Sequence, residues 1–423
     1  MKIINARVLV ENKELKNQEV LIEDGKIIKI ADHIDSDSEI VDANNALMLP
    51  GLIDVHVHLR EPGYTHKETI KTGTMAAAHG GFTTVMAMPN LIPYPDDVET
   101  MKAYLAKIES DAVVNVIPYA CITQDEKGKE VADMEGLNAL GIKAFSDDGV
   151  GVASDEVMKQ AMIKAKSLDA MIVAHTEDMN YRRPLACMHE GIRNQELGYL
   201  GIPSECEYVQ MVRDLKLAQE IGVKYHVCHM SAKESVEYLK QYKQAGVDCS
   251  GEVTAHHLLL NEMDVNGPNE KMNPPLRGKD DQEALIQGLL DGTIDMIAND
   301  YAPHSEEEKN KGIEYAPFGI VALETSFPLL YTRFVYEQKR FSLNQLVYWM
   351  SEAAAKRFNY QTKGMIKEGY DADFFFYDDR IKTKVNKEIF LSKGKNTPFD
   401  GWDCQGEVVA TYVGGKLVYQ KEN

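Results

Sequence analysis

The chain has 423 residues, with 46 basic against 66 acidic side chains and a formal net charge of −20. That balance argues against nucleic acid and anionic membranes as main partners, because both need a basic face. The length exceeds one small core but suits a barrel domain of about 250 residues plus a smaller domain.

The six cysteines, at 121, 187, 206, 228, 249 and 404, are scattered and have no Cys-x-x-Cys spacing. They read as reduced thiols of a cytoplasmic protein. The segment Met-Lys-Ile-Ile-Asn-Ala-Arg carries charge too early for a signal peptide, and no run reaches the ~18 apolar residues of a membrane span.

Residues 1–50 alternate apolar and polar over Lys2–Val10, Glu19–Glu23, Lys26–Ile30 and Glu39–Asp42. Asp24-Gly25 is a hairpin signal between two of these runs. The same texture returns at Asp373–Tyr377, Glu407–Val413 and Lys416–Tyr419, with Gly414-Gly415 as a turn. Neither end has the apolar residues for a core of its own. Residues 1–50 and 360–423 are therefore expected to pair into one small β-sandwich domain.

Between them lie eight short apolar runs: Leu52–His58, Thr83–Met88, Asn115–Cys121, Gly141–Ser146, Met171–His175, Lys224–His229, Val247–Val253 and Asp295–Asp300. Helical spacing fills Glu99–Glu109, Ser154–Ser167, Glu205–Gly222, Ala232–Ala245 and Asp280–Asp291. Eight alternations predict an α/β fold, a (β/α)8 TIM-like barrel over 51–359. The stretches 179–204 and 302–319 are long for loops and are candidate lids.

In such a barrel, chemistry sits at the C-terminal ends of the strands. His56 and His58, two apart, share one strand face, and Arg60 is in phase with them. Asn90 follows the second run, Asp147-Asp148-Gly149 the fourth, His175 ends the fifth, His229 the sixth and Asp300 the eighth, with His304 four residues on. A lone histidine here is usually a hydrogen-bonded surface residue, and Asp-Asp-Gly alone is usually a turn. Together they exceed what one tetrahedral metal needs. They suit two adjacent ions, Zn²⁺ before Mn²⁺, Co²⁺ or Fe²⁺, sharing a bridging carboxylate and water. Asp300 is then the general base. His226 competes with His229 but lies further from the strand end. His256-His257 reads as structural or supporting.

The chain resembles the amidohydrolase superfamily, and within it the dihydroorotases of class I bacterial type. The likeness rests on Asp54-x-His56-x-His58-x-Arg60-Glu-Pro-Gly63, Met88-Pro-Asn90, Phe145-Ser-Asp-Asp-Gly149, His175-Thr-Glu, His229-Met-Ser, Met272-Asn-Pro-Pro-Leu-Arg277, Asp300-x-Ala-Pro-His304 and Ala316-Pro-Phe-Gly319. It implies that His56, His58 and Asp300 bind one metal, His175 and His229 a second, and Asp148 bridges them. Arg60, Asn90 and His304, beside His58, would hold a substrate α-carboxylate. Asn273 and the Phe318-Gly319 backbone would contact the ring. The implied reaction is reversible cyclisation of N-carbamoyl-L-aspartate to L-dihydroorotate in pyrimidine synthesis, by a homodimer carrying two Zn²⁺ per subunit. Hydantoinases and allantoinases share the fold and metals, but Arg60 argues against substrates without that carboxylate. A metal-free scaffold is expected to have a broken ligand set, and this set is complete. Two departures stand out. Tyr301 follows Asp300 where the family usually has histidine, which is expected to tune rather than abolish the site. Lys143 lies near where many superfamily members carry a carboxylated bridging lysine.

Overall fold

Eight strands in the middle of the chain are mostly buried and rich in Val, Ile, Met and Ala, the composition of strands covered on both faces. The computed structural model describes residues 1–422. In it the strands are Leu52–Val57, Phe82–Ala87, Asn115–Pro118, Ala144–Phe145, Met171–Ala174, Lys224–Val227, Cys249–Thr254 and Met296–Ala298. Each overlaps one of the eight expected runs. The first three pair in parallel, and so do the last five in chain order. Two parallel bridges join these sheets, Ala120 with Phe145 and Val57 with Tyr301, and close the ring. The second bridge is firm: the His58 amide donates to the Tyr301 carbonyl at 2.8 Å.

The connecting helices follow their local signals. Ser154 caps Asp155–Ser167 by accepting from the Val157 amide, and Glu205–Ile221 stops at Gly222, whose φ of +73° favours glycine. Ile70–His79 is among the helices with no counterpart in the expected stretches. Its inward residues include Gly73 and Ala76–Ala78, so small side chains rather than an apolar stripe mark its buried face.

The terminal segments meet in one branched β-sheet. Its strand order is Lys416–Gln420, Asp403–Val413, Phe374–Lys384, Leu47–Pro50, Lys2–Val10, Glu14–Glu23 and Lys26–Ala31, with Ile40–Asp42 also on Lys2–Val10. Leu47–Pro50 pairs antiparallel with Phe374–Lys384, so the two ends of the chain meet directly. Both predicted hairpins form, and Asp24, Gly25, Gly414 and Gly415 all have the positive φ that such turns require. Ile3, Val8, Val20, Ile27, Met48, Phe374 and Phe376 belong to a core of their own, and the sheet fixes where the first barrel strand begins, with only Gly51 between Pro50 and Leu52.

Candidate active site

The strand ends deliver six side chains to one rim. His56 and His58 come from the first strand and Asp148 follows the fourth. His175 and His229 follow the fifth and sixth, and Asp300 the eighth. His58 Nε2 lies 3.1 Å and His56 Nε2 3.5 Å from Asp300 Oδ1. Asp148 reaches both sides: its Oδ2 is 3.5 Å from His58 Nε2, and its Oδ1 is 3.3, 3.7 and 3.8 Å from ring nitrogens of His56, His175 and His229. His175 Nδ1 and His229 Nε2 are 2.8 Å apart. All six are buried.

A cation fits this arrangement. His56 Nε2 and Asp148 Oδ1 are buried with no hydrogen-bond partner among the described residues, and both point into the cluster. Two overlapping sets of ligand atoms lie within 4.8 Å of one another, His56–His58–Asp300 and His56–Asp148–His229. Burial pulls the His56 pKa down, yet Asp148, Asp300 and Glu252 outweigh it and hold it well above the ordinary value. So much negative potential calls for positive charge. Burial alone would raise Asp300, but His56 and His58 hold it below the ordinary range, so it is ionised and able to accept a proton.

A further set of side chains orients the histidines. Glu252, on the seventh strand, faces His56 Nδ1 at 2.7 Å and His226 Nε2 at 3.0 Å, and accepts from the His229 amide at 3.1 Å. Burial raises its pKa, but His56 and His226 bring it down to about 2. Glu177 lies 3.3 Å from His175 Nε2 and is paired with Arg182. Asn90 Oδ1 is 2.9 Å from His58 Nδ1. The far ring nitrogens of His56, His58 and His175 thus each have an acceptor, which leaves the near one for a metal.

The rim opens into a cavity of about 320 Å³ lined by His58, Arg60, Asn90, Asp148, His175, Arg182, His229, Asn273, Asp300, Phe318 and Gly319 among others. Among the described residues, Arg60 has no carboxylate within salt-bridge distance; its only side-chain hydrogen bond is from Nε to the Pro303 carbonyl at 3.4 Å. Asn273 donates to Glu177 at 2.9 Å. Gly319 has a φ of +117°, and a Cβ there would fall 2.4 Å from that of Ala302. His304 is not on this wall. Its Nε2 is 2.7 Å from the Phe318 carbonyl and its Nδ1 3.3 Å from Lys67 Nζ, so a direct contact from Nε2 to a carboxylate requires the Phe318 bond to open.

Other residues fall away from the chemistry. Lys143 is exposed before the fourth strand, 3.4 Å from Asn138 Oδ1 and from the Leu168 carbonyl, and it cannot bridge metals at the other end. Asp147 accepts from the Ile122 and Thr123 amides and serves the loop. His226 is a core residue, bonded to Ser250 and Glu252. His257 spans Thr254 and the Pro274 carbonyl, whereas His256 is buried with both ring nitrogens unpartnered among the described residues. Tyr301 turns away from the cluster and donates to Glu68 at 2.5 Å. The residues the sequence reading missed are Glu252 and Arg182, and it gave Glu177 no role. A glutamate inside an otherwise buried strand was the available signal for Glu252.

Comparison with known proteins agrees with this geometry. A family model described as dihydro-orotase-like matches residues 45–235, and an amidohydrolase family model matches 315–419. The L-hydantoinase (dihydropyrimidinase) of Arthrobacter aurescens superimposes with a TM-score of 0.89 at 26% identity, over 100% of this chain and 96% of that one. The dihydropyrimidinase of Brevibacillus agri shares the fold at a TM-score of 0.85, 24% identity and 99% and 95% coverage. Fold and rim together define an amidohydrolase. More narrowly, dihydroorotases of Bacillus cytotoxicus and Bacillus cereus are each 51% identical over 422 residues, 99% of this chain and 98% of theirs. The chain belongs to the dihydroorotase family.

Proposed function

We propose that this protein interconverts L-dihydroorotate and N-carbamoyl-L-aspartate, a step of pyrimidine synthesis. The observation that carries the reading is Arg60: a guanidinium without a carboxylate partner, on the wall of the cavity that holds the histidine–aspartate cluster. Cyclic amides with no carboxylate would leave that charge uncompensated.

In this reading His56, His58 and Asp300 would hold one ion and His175 and His229 a second, with Asp148 available to both. Zn²⁺ suits imidazole and carboxylate donors. When bound, the ions supply Lewis acidity, which acidifies a water and polarises the ring carbonyl. The protein does the rest. Arg60 and Asn90, beside His58, orient the α-carboxylate, with His304 reached once its bond to Phe318 opens. Asn273 and the Phe318-Gly319 backbone bound the ring. In hydrolysis Asp300 takes a proton from the attacking water and returns it to the ring nitrogen as the amide C–N bond breaks. In cyclisation the same proton travels back and water leaves.

The sheet that joins the two ends supports a division into residues 51–359 and 1–50 with 360–423. Six buried, unpaired cysteines support a cytoplasmic setting, and the acidic surface supports a small-molecule substrate rather than nucleic acid. No helix among the described residues is long and apolar enough to cross a membrane. A homodimer is the assembly we propose, to be read by sedimentation.

The test presents dihydroorotate, hydantoin and allantoin separately to metal-loaded protein. Ring opening of dihydroorotate alone is expected. Opening of hydantoin or allantoin without dihydroorotate would overturn the assignment.

A further inference from the structure

A second cavity, of about 250 Å³, adjoins the first across the segment Ala302–His304: Ala302 lines one and His304 the other. Lys309, Lys387, Lys393 and Lys395 converge on it. Among the described residues, none of these ammonium groups has a carboxylate oxygen within 4.0 Å. Two glutamates, Glu306 and Glu388, share the lining, and both are exposed. In a chain with 66 acidic and 46 basic residues, four lysines together without an acidic partner run against the average.

Their protein bonds are all to carbonyls. Lys309 Nζ donates to the Pro317 and Gly319 carbonyls, each at 3.0 Å. Lys395 donates to the Phe390 carbonyl at 2.6 Å and Lys393 to that of Thr65. An ammonium has three donors, so every one of them has capacity left. Lys309 is the telling case, at 4% exposure. Burial, then Lys271, brings its pKa down to about 7, with Glu270 pulling weakly the other way. Lys309 Nζ has neutral acceptors only, so an anion in the cavity favours its charged form.

We propose that this cavity binds a phosphate group, as the free ion or as a small phosphomonoester. Lysines act as point charges suited to a tetrahedral dianion, whereas planar carboxylates favour the arginine fork, and no arginine lines the cavity. The volume lies below the ~300–1,000 Å³ of pockets that enclose whole small molecules, so the charged group is what fits. The site also touches the first cavity's wall. Lys309 and Asn396 both donate to the Gly319 carbonyl, and Asn396 Oδ1 accepts from the His304 amide at 3.1 Å. An anion that draws Lys309 from Gly319 changes the Phe318-Gly319 loop, and with it affinity for dihydroorotate. That coupling rests on the proposed function; the binding itself does not.

The experiment is calorimetric titration of the metal-loaded protein with inorganic phosphate at constant ionic strength. It compares wild type, Arg60→Met and the pair Lys387→Ala/Lys395→Ala, whose half-buried positions keep the fold safe. Saturable binding of one phosphate per chain is expected, equal in wild type and Arg60→Met and weakened roughly tenfold or more in the lysine pair, as loss of charged hydrogen bonds requires. Glycerol 3-phosphate beside it separates the sources: equal affinity means the free group is read, tighter binding that the ester is the ligand. No saturable binding, or binding lost in Arg60→Met and kept in the lysine pair, would overturn the site. A phosphate-dependent KM for dihydroorotate in wild type but not in the lysine pair is expected, and a KM indifferent to bound phosphate would overturn the coupling alone.

Discussion

His56 turns Nδ1 toward Glu252, 2.7 Å away, and leaves Nε2 facing Asp148 and Asp300. The contact decides which nitrogen is free for a metal, and the same carboxylate holds the His229 backbone. Glu252→Gln keeps the shape but not the charge. It should weaken metal binding by about 10–100-fold, read by competition with a chelator. Unchanged affinity would mean that Glu252 only fills the core.

Arg60 faces the cavity without a carboxylate partner. Arg60→Met should raise KM for dihydroorotate and for N-carbamoyl-aspartate by about 10–100-fold, the worth of charged hydrogen bonds, while metal content stays the same. Steady-state kinetics in both directions checks this. An unaltered KM would remove Arg60 from carboxylate recognition.

Tyr301 is fully buried, and its hydroxyl bonds Glu68 rather than the rim. Tyr301→Phe should therefore cost about 1–3 kcal/mol of stability, by stranding part of the Glu68 carboxylate, and spare most turnover. Denaturant unfolding beside a turnover assay separates the two. A large loss of kcat with intact stability would contradict the placement.

Glu126 is 8% exposed and its Oε1 has no partner among the described residues. Burial, with Asp147 and Asp148 adding to it, raises its pKa from about 4.5 to about 10. The fold holds the proton and the unfolded chain releases it above about pH 4.5, so this group's contribution to stability falls as pH rises from there toward 10. Glu126→Gln removes that dependence. It should stabilise the protein at pH 7 by no more than about 3 kcal/mol and make little difference near pH 4, as urea unfolding at the two values can read.

Much of this was legible from local pattern. Period-two alternation and the Asp24-Gly25 and Gly414-Gly415 pairs mark the terminal sheet. Apolar runs ending in His58, His175 and His229 mark the barrel strands and point to its rim, because strand ends are where a barrel collects chemistry. What escaped depends on contacts between distant segments. Glu252 meets His56 only once the register of the seventh strand is fixed. The Lys309 cavity needs residues near 310 and near 390 to meet. Ile70–His79 hides its inward face behind alanine and glycine. Lys143 sits near a family landmark in sequence, yet at the wrong end of its strand.

The most direct test adds Zn²⁺ stepwise to chelator-treated protein and follows dihydroorotate ring opening. Activity should climb to a plateau at two equivalents per chain and be nearly absent in Asp148→Ala. A plateau without metal, or full activity in Asp148→Ala, would contradict the account.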